Sequence, residues 1–363
     1  MFKVEMRSCH YFVFVFILAC LFGGCKPRGY LGVGDFLNDF KNVEELAPSD
    51  SISLKPFGIT LPEEFDKYGD WFVVETSQEE SYIRMVNPKE GRTIRLFHKG
   101  RGPGELTYFR SWQILGDTLR IYDSNLKNYY FIDLSRTVQE GTPAIISREE
   151  FPAPESHTGP YHPVQLFHID RGYISFGDID IEKPCWYCLL NDNGELIDQI
   201  PLPDFKNLES VPDGQLHQIG STSYSTIKPD GNAMAAAMLD ADAISFSCID
   251  ETGLDEYKRF VFSDTEKTLV SGRLQYEKTA SYHFLDAGCN ERYVFFLYSG
   301  KQILGEDPPF DCHDLLVYDW DGNPVKRVIL KRPVSQIHIE GDTLFGCSMS
   351  PDAAIFTYDL SNI

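Results

Sequence analysis

From residue 51 onward the chain is built of short runs rich in β-branched and aromatic residues, each closed by Gly, Asn, Asp or Pro. Helical periodicity of useful length is almost absent, apart from a short stretch over 36–46 in which a helix is expected. Runs of this kind, bounded by turn residues, predict an all-β sandwich, barrel or propeller. Repeats choose between them. Gly116-Asp-Thr-Leu119 recurs as Gly341-Asp-Thr-Leu344, and looser versions are Tyr68-Gly-Asp-Trp71, Arg171-Gly-Tyr-Ile174, Asp230-Gly-Asn-Ala233 and Asn290-Glu-Arg-Tyr293. The last positions of these units are spaced by 48, 55, 59, 60 and 51 residues. Six hairpins at that period predict a six-bladed β-propeller of four-stranded antiparallel blades.

Third strands are expected at 129–133, 186–190, 243–249, 315–320 and 355–360, and fourth strands at 93–97, 144–148, 196–200, 258–262 and 325–330. Turns such as Asn191-Asp-Asn-Gly194 and Asp319-Trp-Asp-Gly322 join the two, with glycine supplying the positive φ. The last unit ends at Ile363 without a fourth strand. Residues 51–55 form an orphan strand ahead of the first blade, and pairing them with 355–360 closes the ring and covers an edge open to aggregation.

Between the first and second units lies His98-Lys-Gly-Arg-Gly-Pro-Gly-Glu-Leu106. Three glycines around a proline suit neither a helix nor a central strand, so the segment reads as a structured crossover. Together with Leu119-Arg-Ile-Tyr-Asp-Ser-Asn125 and Tyr130-Phe-Ile-Asp133 it resembles one NHL-type blade, with Leu106 where Phe is usual. With the N-terminal signal described next, the chain is similar to the six-bladed, TolB-like propeller lipoproteins of Gram-negative bacteria. The motif is close over 98–134, and the likeness in rhythm runs over about 50–363. The resemblance implies the fold and leaves the activity open.

Lys3 and Arg7 precede the apolar run 11–22, which ends at Gly23-Gly-Cys25. The pattern is that of a secretory signal, too short to span a membrane. The cysteine after Gly-Gly looks like a lipobox, so the expected layout is a signal peptide at 1–24, a tether at 25–49 with lipid on Cys25, and a propeller at 50–363. An ordinary cleaved signal peptide and a second cut at Ile17-Leu-Ala-Cys20 are the competing readings. The expected location is the outer membrane, on its periplasmic side, with palmitate-type lipid as the membrane contact.

Formal charge is −21 for the whole chain. So acidic a protein is a poor partner for nucleic acid or for an anionic lipid surface. Apolar residues at 42% suffice for a large core in a monomer. Six of the nine cysteines lie beyond the signal region: Cys185, Cys188, Cys248, Cys289, Cys312 and Cys347. Export permits disulfides, but the pairing is open. In a strand the thiols of Cys185 and Cys188 point to opposite faces, so core packing is expected there rather than a redox or metal pair.

Propeller ligands meet the mouth of the central channel, where the segments entering first strands converge. Tyr108, Tyr161, Tyr224 and Tyr282 recur at that place, followed by His162 and His283, and Arg101, Glu105 and Arg110 flank the glycine turn. Tyrosines, imidazoles and arginines grip a peptide or sugar by stacking and bidentate hydrogen bonds, whereas the structural alternative is that they wedge blades together. Asp178-Ile-Asp-Ile-Glu182 is a candidate Ca²⁺ loop without EF-hand spacing; no other cofactor is implied. Neither a P-loop, a Gly-x-Ser-x-Gly elbow nor a His-Glu-x-x-His motif occurs. Two function classes remain: a non-catalytic, membrane-anchored module that binds a protein, peptide or glycan, and a metal-dependent propeller enzyme (a lactonase-like hydrolase or lyase) with its site in the channel. The missing catalytic motifs favour the first.

Overall fold

The computed structural model describes residues 34–76, 81–102, 104–151, 162–178 and 184–363. Cys25, the signal segment, Tyr161 and the acids Asp180 and Glu182 lie outside them. Among the described residues the chain folds as six blades of four antiparallel strands, the fifth carrying one further strand. The first strands, one per blade, are Phe65–Tyr68, Phe109–Leu115, His162–Ile169, Ser223–Ile227, Ser281–Cys289 and Gln336–Glu340. Every blade begins with the hairpin expected from the repeats, and its later strands lie outward in chain order, with N-terminal strands added outermost on the fifth and sixth blades. Gly194 and Gly322, at φ 77° and 71°, make the tight turns from third to fourth strand.

Each sheet is covered on both faces. Six clusters of buried side chains, one per gap between neighbouring blades, make up the core among the described residues. The strand Ala233–Met238 of the fourth blade shows the consequence for sequence, since all six of its residues are buried. Met234, Ala236 and Met238 face the third blade, and Ala235 and Ala237 face the fifth. Alternate residues of a strand point to opposite faces, so a sheet with two dry faces needs an unbroken apolar run.

The sixth blade takes its outer strand from the other end of the chain: Asp50–Ser53 pairs antiparallel with Ala354–Asp359, Asp50 opposite Thr357. Beside it, Lys67 Nζ meets Glu340 at 2.5 Å and His338 Nδ1 meets Asp66 at 2.7 Å across the gap between the sixth and first blades.

The stretch expected to be a tether up to residue 49 is part of the fold from Gly34 on. Instead of a helix over 36–46, a single 3-10 turn spans Asp35–Asp39, and Val43–Leu46 adds in parallel to Pro324–Val334 as a fifth strand of the fifth blade. An acidic Val-Glu-Glu-Leu run is locally neutral between helix and strand; the open edge beside it decides, with Lys326 Nζ 2.8 Å from Glu44. Upstream, Phe36 is 1% exposed, stacks on Phe262 at 4.5 Å and meets Tyr298 edge-on at 5.2 Å. The Gly34 N–H donates to Asp242 Oδ2 at 3.0 Å.

The cysteine pair departs from expectation as well. The register slips between Cys185 and Tyr187, so both thiols enter the cluster between the second and third blades. Burial and the neighbouring Cys185 thiol push the Cys188 thiol well up. A β-bulge abolishes the simple alternation on which diverging thiols were expected.

Removing the Phe36 ring tests whether the N-terminal segment is structural. Phe36→Ala should lower stability by about 3–5 kcal/mol, the usual range for emptying an aromatic site in a core. Urea unfolding would show it, and an unchanged midpoint would reduce the segment to a tether.

Candidate binding channel

The glycine-rich crossover carries the chain from the outer strand of the first blade to the inner strand of the second. Short segments His98–Lys99 and Glu105–Leu106 pair in parallel across it. The Glu105 carboxylate folds back over the turn and accepts from the Gly102 N–H at 2.7 Å. A Cβ on Gly100 would lie 2.0 Å from that carboxylate, which explains the bare backbone. Asp123, fully buried, accepts from the Thr107 N–H at 2.7 Å and from the amides of Asn125 and Leu126 in its own turn. Tyr82 donates to the Thr107 carbonyl at 2.9 Å. The motif therefore clamps two blades at the rim of the central channel.

That channel is a cavity of about 740 Å³ walled by the first strands of all six blades. Of the side chains expected at its mouth, Tyr108 and Tyr224 line it. Arg101 is exposed on the glycine turn, and Glu105 is spent on the turn itself. Arg110 and His162 sit in the inner strands of the second and third blades. Tyr282 turns away and packs between Tyr276 and Phe310, at 5.9 and 5.4 Å. His283 is wholly buried beneath the fifth blade, with Nδ1 2.6 Å from Asp242 and Nε2 3.3 Å from Glu266. Burial works against its charged form, but the two carboxylates outweigh it and raise the imidazole to about 9. The cause of both departures is strand geometry: consecutive residues face opposite ways, and the irregular start of this nine-residue strand swings it off the channel wall.

Sequence reasoning missed the acids. Glu63, Glu64, Asp66, Glu75 and Asp286 all line the channel, against two basic side chains, Lys99 and His338. The trace that was legible is Pro62-Glu-Glu-Phe-Asp66, acids running into a first strand. Asp286 accepts from the amides of Ile337 and Ala287 at 2.6 and 2.8 Å, yet burial prevails and pushes it up to about 7. Glu64 is also raised, first by burial and then by Glu75 and Asp286, against a hydrogen bond from the Trp112 N–H. Burial also raises Glu63, with Lys99 opposing. Lys99 lies 4.8 Å over the Tyr82 ring. Burial in a partly dry lumen shifts these carboxyls towards the protonated form, and such perturbed groups in a cleft mark candidate functional sites. Among the described residues no three His, Cys, Asp or Glu side chains converge as metal ligands.

The sequence matches the family described as TolB-like 6-blade propeller-like over residues 41–342. The chain belongs to the TolB-like propeller family. Among curated proteins none matches this sequence. The solved structure of a DUF4221-family member from Bacteroides vulgatus superposes on this TolB-like propeller with a TM-score of 0.57 at 11% identity, covering 86% of this chain and 97% of that one. A calcium-binding protein, regucalcin, from Agrobacterium tumefaciens gives 0.48 at 12% identity, covering 87% and 95%. A putative exported protein from Bacteroides fragilis gives 0.48 at 10%, covering 87% and 99%. At these identities the likeness extends to the fold. Among the described residues of the TolB-like chain no helix is long and apolar enough to cross a membrane.

Glu64 sets a test with a definite sign. Its folded pKa lies above the unfolded one, so the carboxyl is tolerated while protonated and opposes folding once it ionises. Glu64→Gln should therefore raise the urea midpoint at pH 8 and change it little near pH 4. A gain of equal size at both pH values would count against a raised Glu64.

Proposed function

We propose that this TolB-like propeller is a non-catalytic binding module, held at the outer membrane on its periplasmic side by lipid on Cys25, that takes part of a protein, peptide or glycan into its central channel. The observation that carries the reading is the channel: about 740 Å³, with Tyr82, Tyr108, Phe109, Trp112 and Tyr224 interleaved with polar groups along its walls. Pockets of this size that mix aromatic surface with a few placed polar groups suit a ligand that is partly stacked and partly hydrogen-bonded. Burial holds the Glu64 and Asp286 carboxyls above their ordinary range, and perturbed carboxyls in a cleft support the same reading. Fold kinship alone supplies no activity.

Peptide and glycan arrays probed with the purified protein test the binding role. Tyr108→Ala with Tyr224→Ala should abolish retention of whatever the wild type holds; retention by the double variant would move binding off the channel. Ca²⁺ or Zn²⁺ retained at one equivalent through dialysis after reloading would turn the reading towards the metal-dependent enzyme. For the anchor, Cys25→Ala should shift the protein from the membrane fraction to the soluble periplasm, and unchanged partition would remove the lipid from the account.

A further inference from the structure

Two connections project from the end of the fourth and fifth blades at which their first strands begin. One is the loop 303–311, between the strands Tyr293–Gln302 and Cys312–Asp319 of the fifth blade. The other is the hairpin of Lys267–Val270 with Arg273–Tyr276, which leads from the fourth blade into the first strand of the fifth. Both are held by the fold. Ser299 Oγ donates to the Pro309 carbonyl and Lys301 Nζ to that of Asp311, each at 2.6 Å. Lys267 Nζ and the Tyr276 hydroxyl both bind the buried Asp240. Yet the side chains presented to water are apolar: Leu304 is 79% exposed, Val270 and Phe310 are each 43% exposed, and Tyr276 is 36% exposed. Tyr282 stands between Tyr276 and Phe310 and joins the two connections. Ordered loops that hold large apolar side chains in water mark a surface that something covers.

The start of the described chain indicates what covers it. Gly34 lies at the same end: its N–H donates to Asp242, in the turn before Ala243–Ile249, and Asp242 holds His283, the neighbour of Tyr282 in sequence. Eight residues, 26–33, separate Gly34 from Cys25. Fully extended, that link reaches about 30 Å. The ten-residue strand Tyr293–Gln302 covers the same distance, about 30 Å, from one end of its blade to the other. An anchor on Cys25 therefore leaves the near ends of the fourth and fifth blades close to lipid. The far ends reach lipid only if the link runs taut down the whole height of a blade. Leu115, Ile146 and Leu196 are exposed as well, but at the far strand ends of the second and third blades.

We propose that the loop 303–311 and the hairpin 267–276 rest on the phospholipid surface to which Cys25 is anchored, with Leu304, Phe310, Val270 and Tyr276 set among the headgroups. This rests on the lipid anchor proposed above. Aromatic and aliphatic side chains at loop tips suit an interface where one side is apolar and the other wet. Glu306 and Asp307 on the same loop oppose an anionic surface, so the fitting layer is zwitterionic. The ends at which the inner strands begin, with Tyr108 among them, then face the bilayer.

The full-length lipidated protein, reconstituted into phosphatidylcholine liposomes, tests this with a nitrobenzoxadiazole label on Leu304→Cys or, at the far end of the third blade, on Leu196→Cys. Both are made in a Cys248→Ser background, because Cys248 is exposed. Lipid carrying a nitroxide on its headgroup should quench the label at 304 several-fold more than the label at 196. With the label on Val270→Cys, adding Leu304→Asp and Phe310→Asp should reduce quenching several-fold while the protein stays on the liposomes. Unchanged quenching at 270 in that variant would remove Leu304 and Phe310 from the contact. Equal quenching at 304 and 196, or stronger quenching at 196, would overturn the assigned face. No quenching at either position, on protein that floats with the liposomes, would leave the anchor standing and refute the contact. If Cys25→Ala floats as well as the wild type, the anchor reading falls and this proposal with it.

Discussion

The structure depends on burial of each sheet from both sides, which ties every blade to its two neighbours and makes closure of the ring obligatory. Six apolar clusters fill six gaps, so an incomplete ring would leave an apolar face and a strand edge in water. The chain meets that demand by bringing its two ends together. Asp50–Ser53 completes the sixth blade, while Ile52 packs in the cluster between that blade and the first. Val43–Leu46 then covers the outer edge of the fifth blade, and Phe36 fills a slot among Phe262, Phe284 and Tyr298. Residues 34–53 are therefore woven into the propeller.

Closure also creates the channel. Six inner strands held in a ring stand too far apart to fill the centre with their own side chains, and the remaining lumen gathers polar groups from blades distant in sequence. Glu64 comes from the first blade, Trp112 from the second, Asp286 from the fifth and Gln336 from the sixth. A rigid frame tolerates such groups because no single local unfolding event relieves them. The result is a site where burial holds Glu64 and Asp286 above the ordinary carboxylate range, a perturbation characteristic of functional clefts.

The conspicuous motif and the chemistry have separated. Gly100 to Leu106 with Asp123 drew attention by composition, and its polar atoms are consumed in shaping a crossover: Glu105 on Gly102, Asp123 on Thr107 and its own turn. The residues that face the lumen belong to unremarkable strands. His283 illustrates the same division, since its two carboxylate partners lock it beneath the fifth blade, away from the channel.

The sequence by itself determined the number of blades, the hairpin that opens each, and the strand that completes the last. These follow from local patterns: turn glycines and runs of apolar residues are required wherever strands reverse or lie buried on both faces. It also placed Tyr108 and Tyr224 at the entrance to inner strands. Only the tertiary structure decided which inner-strand side chains face the lumen, because irregularities along Ser281–Cys289 reset the two-residue alternation. It alone turned 43–46 into a strand, since an open edge far away in sequence outweighs weak local preference. And it alone set Asp286 of the fifth blade beside Glu64 of the first, because their mutual influence and shared burial exist only once the ring has closed.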